Sequence, residues 1–192
     1  GPVSGSSIII IEGKGCVNSK LLACKFGRVD PIVSPGKFIN VNKISCVSLP
    51  NEVGPIKLEV SVNGIDFSDS GQRFEYIKNL YIQRLRPKTG PTSGGTKIIV
   101  NGKHFIASPN LRCRFGDVVV VAEYLDVDSI SCVSTAMVVG KVEVAFSNNG
   151  VDFEYSDLNF TFGDLPSITS LNKRNISMGG NTSVLVVGSN YA

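Results

Sequence analysis

Gly90-Pro91-Thr92-Ser93-Gly94-Gly95-Thr96-Lys97-Ile98-Ile99-Val100-Asn101-Gly102-Lys103-His104-Phe105 decides how the chain reads. A Pro/Gly turn leads into a short apolar strand, which closes on a further glycine and an aromatic ring. The same string opens the chain as Gly1-Pro2-Val3-Ser4-Gly5-Ser6-Ser7-Ile8-Ile9-Ile10-Ile11-Glu12-Gly13-Lys14, displaced by 89 positions, Gly90 against Gly1. It returns as Ser177-Met178-Gly179-Gly180-Asn181-Thr182-Ser183-Val184-Leu185-Val186-Val187-Gly188-Ser189-Asn190-Tyr191, with one additional residue before the closing Gly-x-x-aromatic. A period of this length signals a tandem array of small domains.

Working outward, Leu80-Tyr81-Ile82-Gln83-Arg84-Leu85-Arg86-Pro87 precedes the Gly90 turn and alternates like a first strand. Leu165–Leu171 stands in the same place before the last turn, whereas Gly1 is already the turn of the first copy. The boundaries that follow are 1–77 for a repeat without its first strand, 78–163 for a complete repeat, and 164–192 for the N-terminal part of a third. The chain therefore reads as a piece of a longer protein. In the middle repeat the pattern predicts strands at 97–101, 111–115, 118–123, 129–133, 141–147 and 157–162, each rich in Val, Ile and Phe and bounded by turn formers. Val142, Val144 and Phe146 alternate with Lys141, Glu143 and Ala145, which assigns the second set to a wet face. Asn149-Gly150, like Asn63-Gly64 in the first repeat, signals a hairpin turn in which both positions tolerate positive φ. No segment carries a sustained helical period. Many short strands with frequent turns indicate an all-β chain of tandem immunoglobulin-like β-sandwiches.

Composition narrows the function. A hydrophobic fraction of 42% and a charged fraction of 18% belong to a globular chain. The net charge of +3 is spread evenly over the three segments. A nucleic-acid binder or a direct membrane-surface binder concentrates its positive charge, so neither partner is expected. No apolar run reaches the roughly 20 residues of a membrane span.

Superposing the copies brings further residues into line. Cys24-Lys25-Phe26-Gly27 falls on Cys113-Arg114-Phe115-Gly116 at the displacement of 89. Ile44-Ser45-Cys46-Val47-Ser48 falls on Ile130–Ser134 at 86, and Asn63-Gly64-Ile65-Asp66-Phe67 on Asn149–Phe153, also at 86. The ordered set Pro-x-x-Gly-Pro-x-x-Gly-Gly-Thr, Gly-x-x-Phe, Cys-x-Phe-Gly, Ser-Cys and Ser-Asn-x-Gly-x-x-Phe resembles the IPT/TIG domain. That family is an immunoglobulin-like sandwich of plexins, the hepatocyte growth factor receptor ectodomain, fibrocystin-type and adhesion proteins, and the dimerisation halves of Rel-type transcription factors.

In extracellular members of that family the two aligned cysteines form a disulfide, so the resemblance implies Cys24 with Cys46 and Cys113 with Cys132. Each closed loop of this size would stabilise its domain by about 3 kcal/mol on the chain-entropy model. The alternative is a cytosolic sandwich with buried free thiols. Zinc fits poorly, since there is no Cys-x-x-Cys and His104 is the lone histidine. Cys16 takes the position of Phe105 and Tyr191, either as a small core residue or as a partner for a cysteine elsewhere. Three N-glycosylation acceptors occur, at Asn159, Asn175 and Asn181. Asn159 is expected on the face opposite Phe160.

Two local patterns lead elsewhere and fail. Gly90, four residues, then Gly95-Thr96-Lys97 imitates a phosphate-binding loop, but Thr and Lys stand in the wrong order and a strand follows in place of a helix. Arg84, Arg86 and Lys88 with Arg112 and Arg114 suggest DNA contact of the Rel type, yet alternating arginines describe a solvated strand face, with Glu123, Asp126 and Asp128 as offset. No catalytic constellation and no cofactor motif is visible, and Asp126 with Asp128 reads as turn chemistry. The expected function is a non-enzymatic extracellular spacer and protein-interaction array of a surface receptor or adhesion protein, with other proteins as partners. The alternatives are a structural repeat of a large extracellular or ciliary-surface assembly, and an intracellular dimerisation module beside a DNA-binding domain.

Overall fold

A computed structural model describes residues 1–27, 29–176 and 178–190. Ser177, which opens the third copy of the string and completes the Asn175 acceptor, lies outside them, as do Tyr191 and Ala192. Among the described residues every regular element is a strand. The first repeat contains β1 (Ile8–Glu12), β2 (Ala23–Phe26), β3 (Ile32–Asn40), β4 (Lys43–Val47), β5 (Gly54–Ser61) and β6 (Arg73–Tyr76). The second contains β7 (Tyr81–Arg86), β8 (Thr89–Pro91), β9 (Lys97–Lys103), β10 (Arg112–Phe115), β11 (Val118–Asp126), β12 (Ser129–Val133), β13 (Gly140–Ser147) and β14 (Glu154–Gly163). β15 (Ser167–Leu171) and β16 (Val186–Ser189) form an antiparallel ribbon.

Each repeat is a sandwich because one long strand serves both layers. The first half of β3 pairs with β2 and its second half with β4, so the layers are β1-β4-β3 and β3-β2-β5-β6. β11 does the same in the second repeat, giving β7-β9-β12-β11 and β11-β10-β13-β14-β8. The crossing needs a small residue. A Cβ at Gly36 would stand 2.7 Å from the Leu22 side chain, and Ala122 takes the corresponding place, opposite Cys132 as Gly36 is opposite Cys46. Inward residues of both layers form the core, as alternation requires. In the second repeat Phe115, Phe160 and Phe162 meet edge to face with ring centroids 4.9 to 6.4 Å apart. In the first, Phe26, Phe74 and Tyr76 make the shorter chain of contacts, and the Tyr76 hydroxyl donates to the Leu49 carbonyl at 2.7 Å.

β9, β11, β13 and β14 run longer than the alternation predicts. The strand expected at 157–162 begins at Glu154, because pairing with β13 resumes beyond an irregularity at Glu143/Ala145 and continues to Phe146 opposite Glu154. The Gly90 turn also contains a strand, Thr89–Pro91, which adds to β14 in parallel. Its glycines have different duties. Gly94 adopts φ 75° and Gly95 φ 82°, and a Cβ on Gly94 would run into the backbone of Thr135 and Ala136.

Two expectations need correction. Ala145, assigned to the wet face, is 1% exposed. It does lie on the outer face, opposite Arg114 and Tyr155. The Arg114 guanidinium stacks 4.4 Å from the Phe153 ring centre and 4.7 Å from that of Tyr155, and this lid covers the methyl group. Asn149-Gly150 does close the β13–β14 hairpin, but only the glycine has positive φ, 75°, as does Gly64 at 74°. The asparagine works through its side chain. Asn149 Oδ1 accepts from the Val151 and Asp152 amides at 3.0 and 2.9 Å, and Asn63 does the same for Ile65 and Asp66.

Candidate functional site

Cys24 on β2 and Cys46 on β4 stand in opposite layers and are joined, with Cα atoms 6.3 Å apart. Cys113 on β10 and Cys132 on β12 are joined likewise, at 6.4 Å. Both bonds are buried in the cores. Cys16 is free and half-buried. Buried cross-layer disulfides form in an oxidising compartment, and this is an extracellular or cell-surface region.

The repeats meet through a short hydrogen-bonded junction that no local motif announces. Asn79 Oδ1 accepts from the Ser4 amide at 3.3 Å, and the Asn79 carbonyl accepts from His104 Nδ1 at 2.9 Å. A carbonyl can only accept, so this nitrogen carries the proton. Ser7 Oγ donates to Asp152 Oδ2 at 2.8 Å, across the junction. Asn149 Nδ2 donates to the same oxygen at 2.7 Å, so the loop that closes the hairpin also bears the carboxylate that reaches the first repeat. Asn148 fixes the other side of the junction, donating to the His104 carbonyl at 2.9 Å and accepting from the Ile106 amide at 3.1 Å. Glu154 lies beside these groups, its carboxyl pushed above the usual range by burial first and by Asp152 second.

The aligned tips are therefore not equivalent. Asn149 and Asp152 border the first repeat, with Val151 between them still 65% exposed, whereas Asn63, Gly64 and Ile65 are all exposed, Ile65 by 81%. Arg84 and Arg86 lie on β7 and Arg112 and Arg114 on β10, in opposite layers, so the arginines do not gather into one patch. Arg112 donates to the carbonyls of Pro109 and Leu111. Asp126 closes its turn, accepting from the Asp128 amide at 2.8 Å and the Ser129 hydroxyl at 2.7 Å. Asn159 lies opposite Glu143 on the outer face, while Asn175 and Asn181 are exposed. Among the described residues no group of His, Cys, Asp and Glu side chains is arranged to hold a metal ion.

Where the second repeat has Ala145 beneath Arg114, the first has buried Glu59 beside Lys25. Lys25 Nζ lies 2.7 Å and Lys57 Nζ 2.5 Å from its carboxylate, and Lys57 also pairs with Asp69. Lys25 stands 4.4 Å over the Phe67 ring. Hydrogen bonds from Lys25 and then Lys57 hold the Glu59 carboxyl down from 4.5 to about 2. A pKa below its unfolded value stabilises the fold above about pH 4.5, and that contribution is lost as pH falls toward 2. Glu59→Gln is expected to flatten the acid limb of the first repeat's stability between these values. Chemical denaturation followed by circular dichroism over that range checks it, and an unchanged limb would assign acid sensitivity elsewhere.

The architecture defines the class: tandem immunoglobulin-like β-sandwiches, each pinned across its layers by one disulfide. The IPT/TIG domain family matches residues 1–76 and 80–162, and the chain belongs to it. Plexin-A2 of Mus musculus is 29% identical over 143 residues, covering 71% of this chain and 7% of that protein. Plexin-A3 of Rattus norvegicus is 22% identical over 196 residues, covering 98% of this chain and 10% of the relative. Fibrocystin-L of Mus musculus is 22% identical over 195 residues, all of this chain and 4% of that protein. The chain thus spans a tenth or less of these relatives' length. The solved full extracellular region of plexin A4 superposes over 98% of this chain and 17% of its own length, with a TM-score of 0.54 at 20% identity. That likeness concerns the fold.

Proposed function

We propose that the chain is a non-enzymatic spacer and protein-interaction array in the ectodomain of a cell-surface receptor or adhesion protein. It consists of an IPT/TIG repeat without its first strand at 1–77, a complete repeat at 78–163, and the beginning of a third at 164–192. The observation that carries this reading is the junction. Asn79 is bonded to both repeats, and Ser7 to Asp152 across them, within a connection only a few residues long. Such a connection sets the distance and angle between neighbouring modules, while exposed loop tips and strand edges remain for other proteins. Kinship with plexins favours the receptor reading over a laterally packed assembly. The surface positions of Asn159, Asn175 and Asn181 suit glycans, and intact mass of the secreted protein with and without deglycosylation reports their use. Cys16 belongs to the interior of the first repeat in this reading and not to an intermolecular bond.

Rotational diffusion from nuclear magnetic relaxation tests the spacer. Amides of the two repeats are expected to share one correlation time, and Asn79→Ala with Asp152→Ala to separate them while each repeat keeps its fold. Independent tumbling of the unaltered repeats would remove the spacer role.

A further inference from the structure

Tyr155 lies near the start of β14 in an acidic stretch. Asp152-Phe153-Glu154-Tyr155-Ser156-Asp157 places three carboxylates within three residues of it, and residues 142–172 contain no lysine, arginine or histidine. The side chain is 59% exposed. Here β14 is paired with β13 on one side only, since β8 joins it further on, at Thr161–Gly163. The ladder with β13 is itself irregular just beyond Tyr155, at Glu143/Ala145.

The first repeat has an anion in this place. At the displacement of 86 the counterpart of Tyr155 is Asp69 and that of Ala145 is Glu59, while Arg114 corresponds to Lys25 at 89. On that face the cations are matched by carboxylates: Lys25 and Lys57 share Glu59, and Lys57 also meets Asp69. In the second repeat Ala145 and Tyr155 replace both carboxylates. Among the described residues Arg114 has no ion pair. Its guanidinium donates to the Tyr155 hydroxyl and stacks on the rings of Phe153 and Tyr155. A carboxylate at 155 would face Glu143, which stands where the first repeat has Lys57. The phenol instead carries its terminal oxygen to Arg114.

Tyr124 provides the contrast. Glu123, Asp126 and Asp128 flank it, so its sequence is equally acidic. Glu123, however, is paired with Lys97 and Ser131, Asp126 is used by its own turn, and Tyr124 is only 37% exposed.

We infer that Tyr155 is a tyrosine O-sulfation site, modified in the secretory pathway from an adenylyl phosphosulfate donor. The Tyr155 phenol oxygen attacks the donor's sulfur, the bond from sulfur to the bridging phosphate oxygen breaks with its electron pair, and the phenolic proton passes to a base of the transferase. Nothing is oxidised or reduced. A basic transferase cleft attracts the cation-free acidic segment, and the open side of β14 presents it in extended form. Arg114, already bonded to the accepting oxygen, then holds the aryl sulfate through charge-assisted hydrogen bonds. The modification thus gives Arg114 the anionic partner that the lysines of the first repeat already have. It also places a fixed charge beside the groove between the repeats, which Ser4, Arg114, Asp152 and Tyr155 line. The inference needs the extracellular route but not the spacer role, which relaxation measures separately.

The 192-residue chain secreted from animal cells fed labelled inorganic sulfate tests it. N-glycans are removed first, because Asn159 shares a peptide with Tyr155. That peptide is expected to carry one phosphatase-resistant sulfate, Tyr155→Phe to abolish the label, and the Tyr124 peptide to stay unlabelled. Glu154→Gln with Asp157→Asn should lower occupancy several-fold by weakening the attraction to the transferase. At low salt the sulfated fraction should unfold at higher denaturant than the unsulfated one, and Arg114→Gln should remove that difference. An unlabelled Tyr155 peptide would overturn the inference, as would label confined to Tyr124. A stability difference that survives Arg114→Gln would overturn the pairing of the sulfate with Arg114.

Discussion

Phe160→Ala is expected to lower the stability of the second repeat by about 3–5 kcal/mol, the range for deleting a fully buried ring. Phe160 is 0% exposed and touches two further rings, Phe115 at 5.7 Å and Phe162 at 4.9 Å between centroids. Its Cζ would stand 2.8 Å from a Cβ on Gly90, so the ring also seats the turn that begins the repeat. Deletion leaves a cavity between layers held apart by strand pairing, with little room for collapse. Phe74, the counterpart in the first repeat, is only half-buried and borders a core that already contains a cavity. Phe74→Ala should therefore cost distinctly less. Denaturant unfolding of both variants decides the matter, and equal losses would show that the first core is packed as tightly as the second.

Removal of the Cys113–Cys132 bond is expected to destabilise the second repeat by about 2–5 kcal/mol. The bond closes a loop of 19 residues, for which restriction of the unfolded chain gives about 3 kcal/mol. Both sulfurs are buried beside Phe115, Ile130 and Phe146 in the same cluster. Cys113→Ala with Cys132→Ala therefore adds a packing loss to the entropic one, whereas reduction of the intact pair isolates the latter. The reduced protein should fall between the oxidised protein and the double variant. The two disulfides serve separate cores, so their effects should add, since they share no contacts. Strong coupling between them would mean that the repeats unfold as a single unit.

Much of this organisation was legible in the residues. The Gly90 string and its displaced copies located the repeats, because a turn that needs close backbone approach is written in glycines at fixed spacing. Leu158, Phe160 and Phe162 marked a buried face, because strand geometry alternates side chains without reference to the rest of the fold. The cysteine pairs became visible through superposition and family resemblance. Ala145 was misassigned because its burial comes from Arg114, Phe153 and Tyr155, which alternation along one strand does not see. The hairpin asparagines were correctly placed but for the wrong reason, since their contribution is a side-chain acceptor and not a φ value. The junction had no local signature: Asn79, His104, Ser7 and Asp152 are ordinary surface residues until two domains bring them together.

Local periodicity and repetition in the sequence thus determined an all-β tandem array, its strand faces, its turns and its family. Tertiary structure alone decided that β3 and β11 pass between layers, that Asp152 reaches Ser7, and that Glu59 lies buried between lysines. The division has one physical cause. Turn geometry and alternation are properties of neighbouring residues, whereas burial, ion pairing and edge coverage depend on which distant residues the fold brings within a few ångströms.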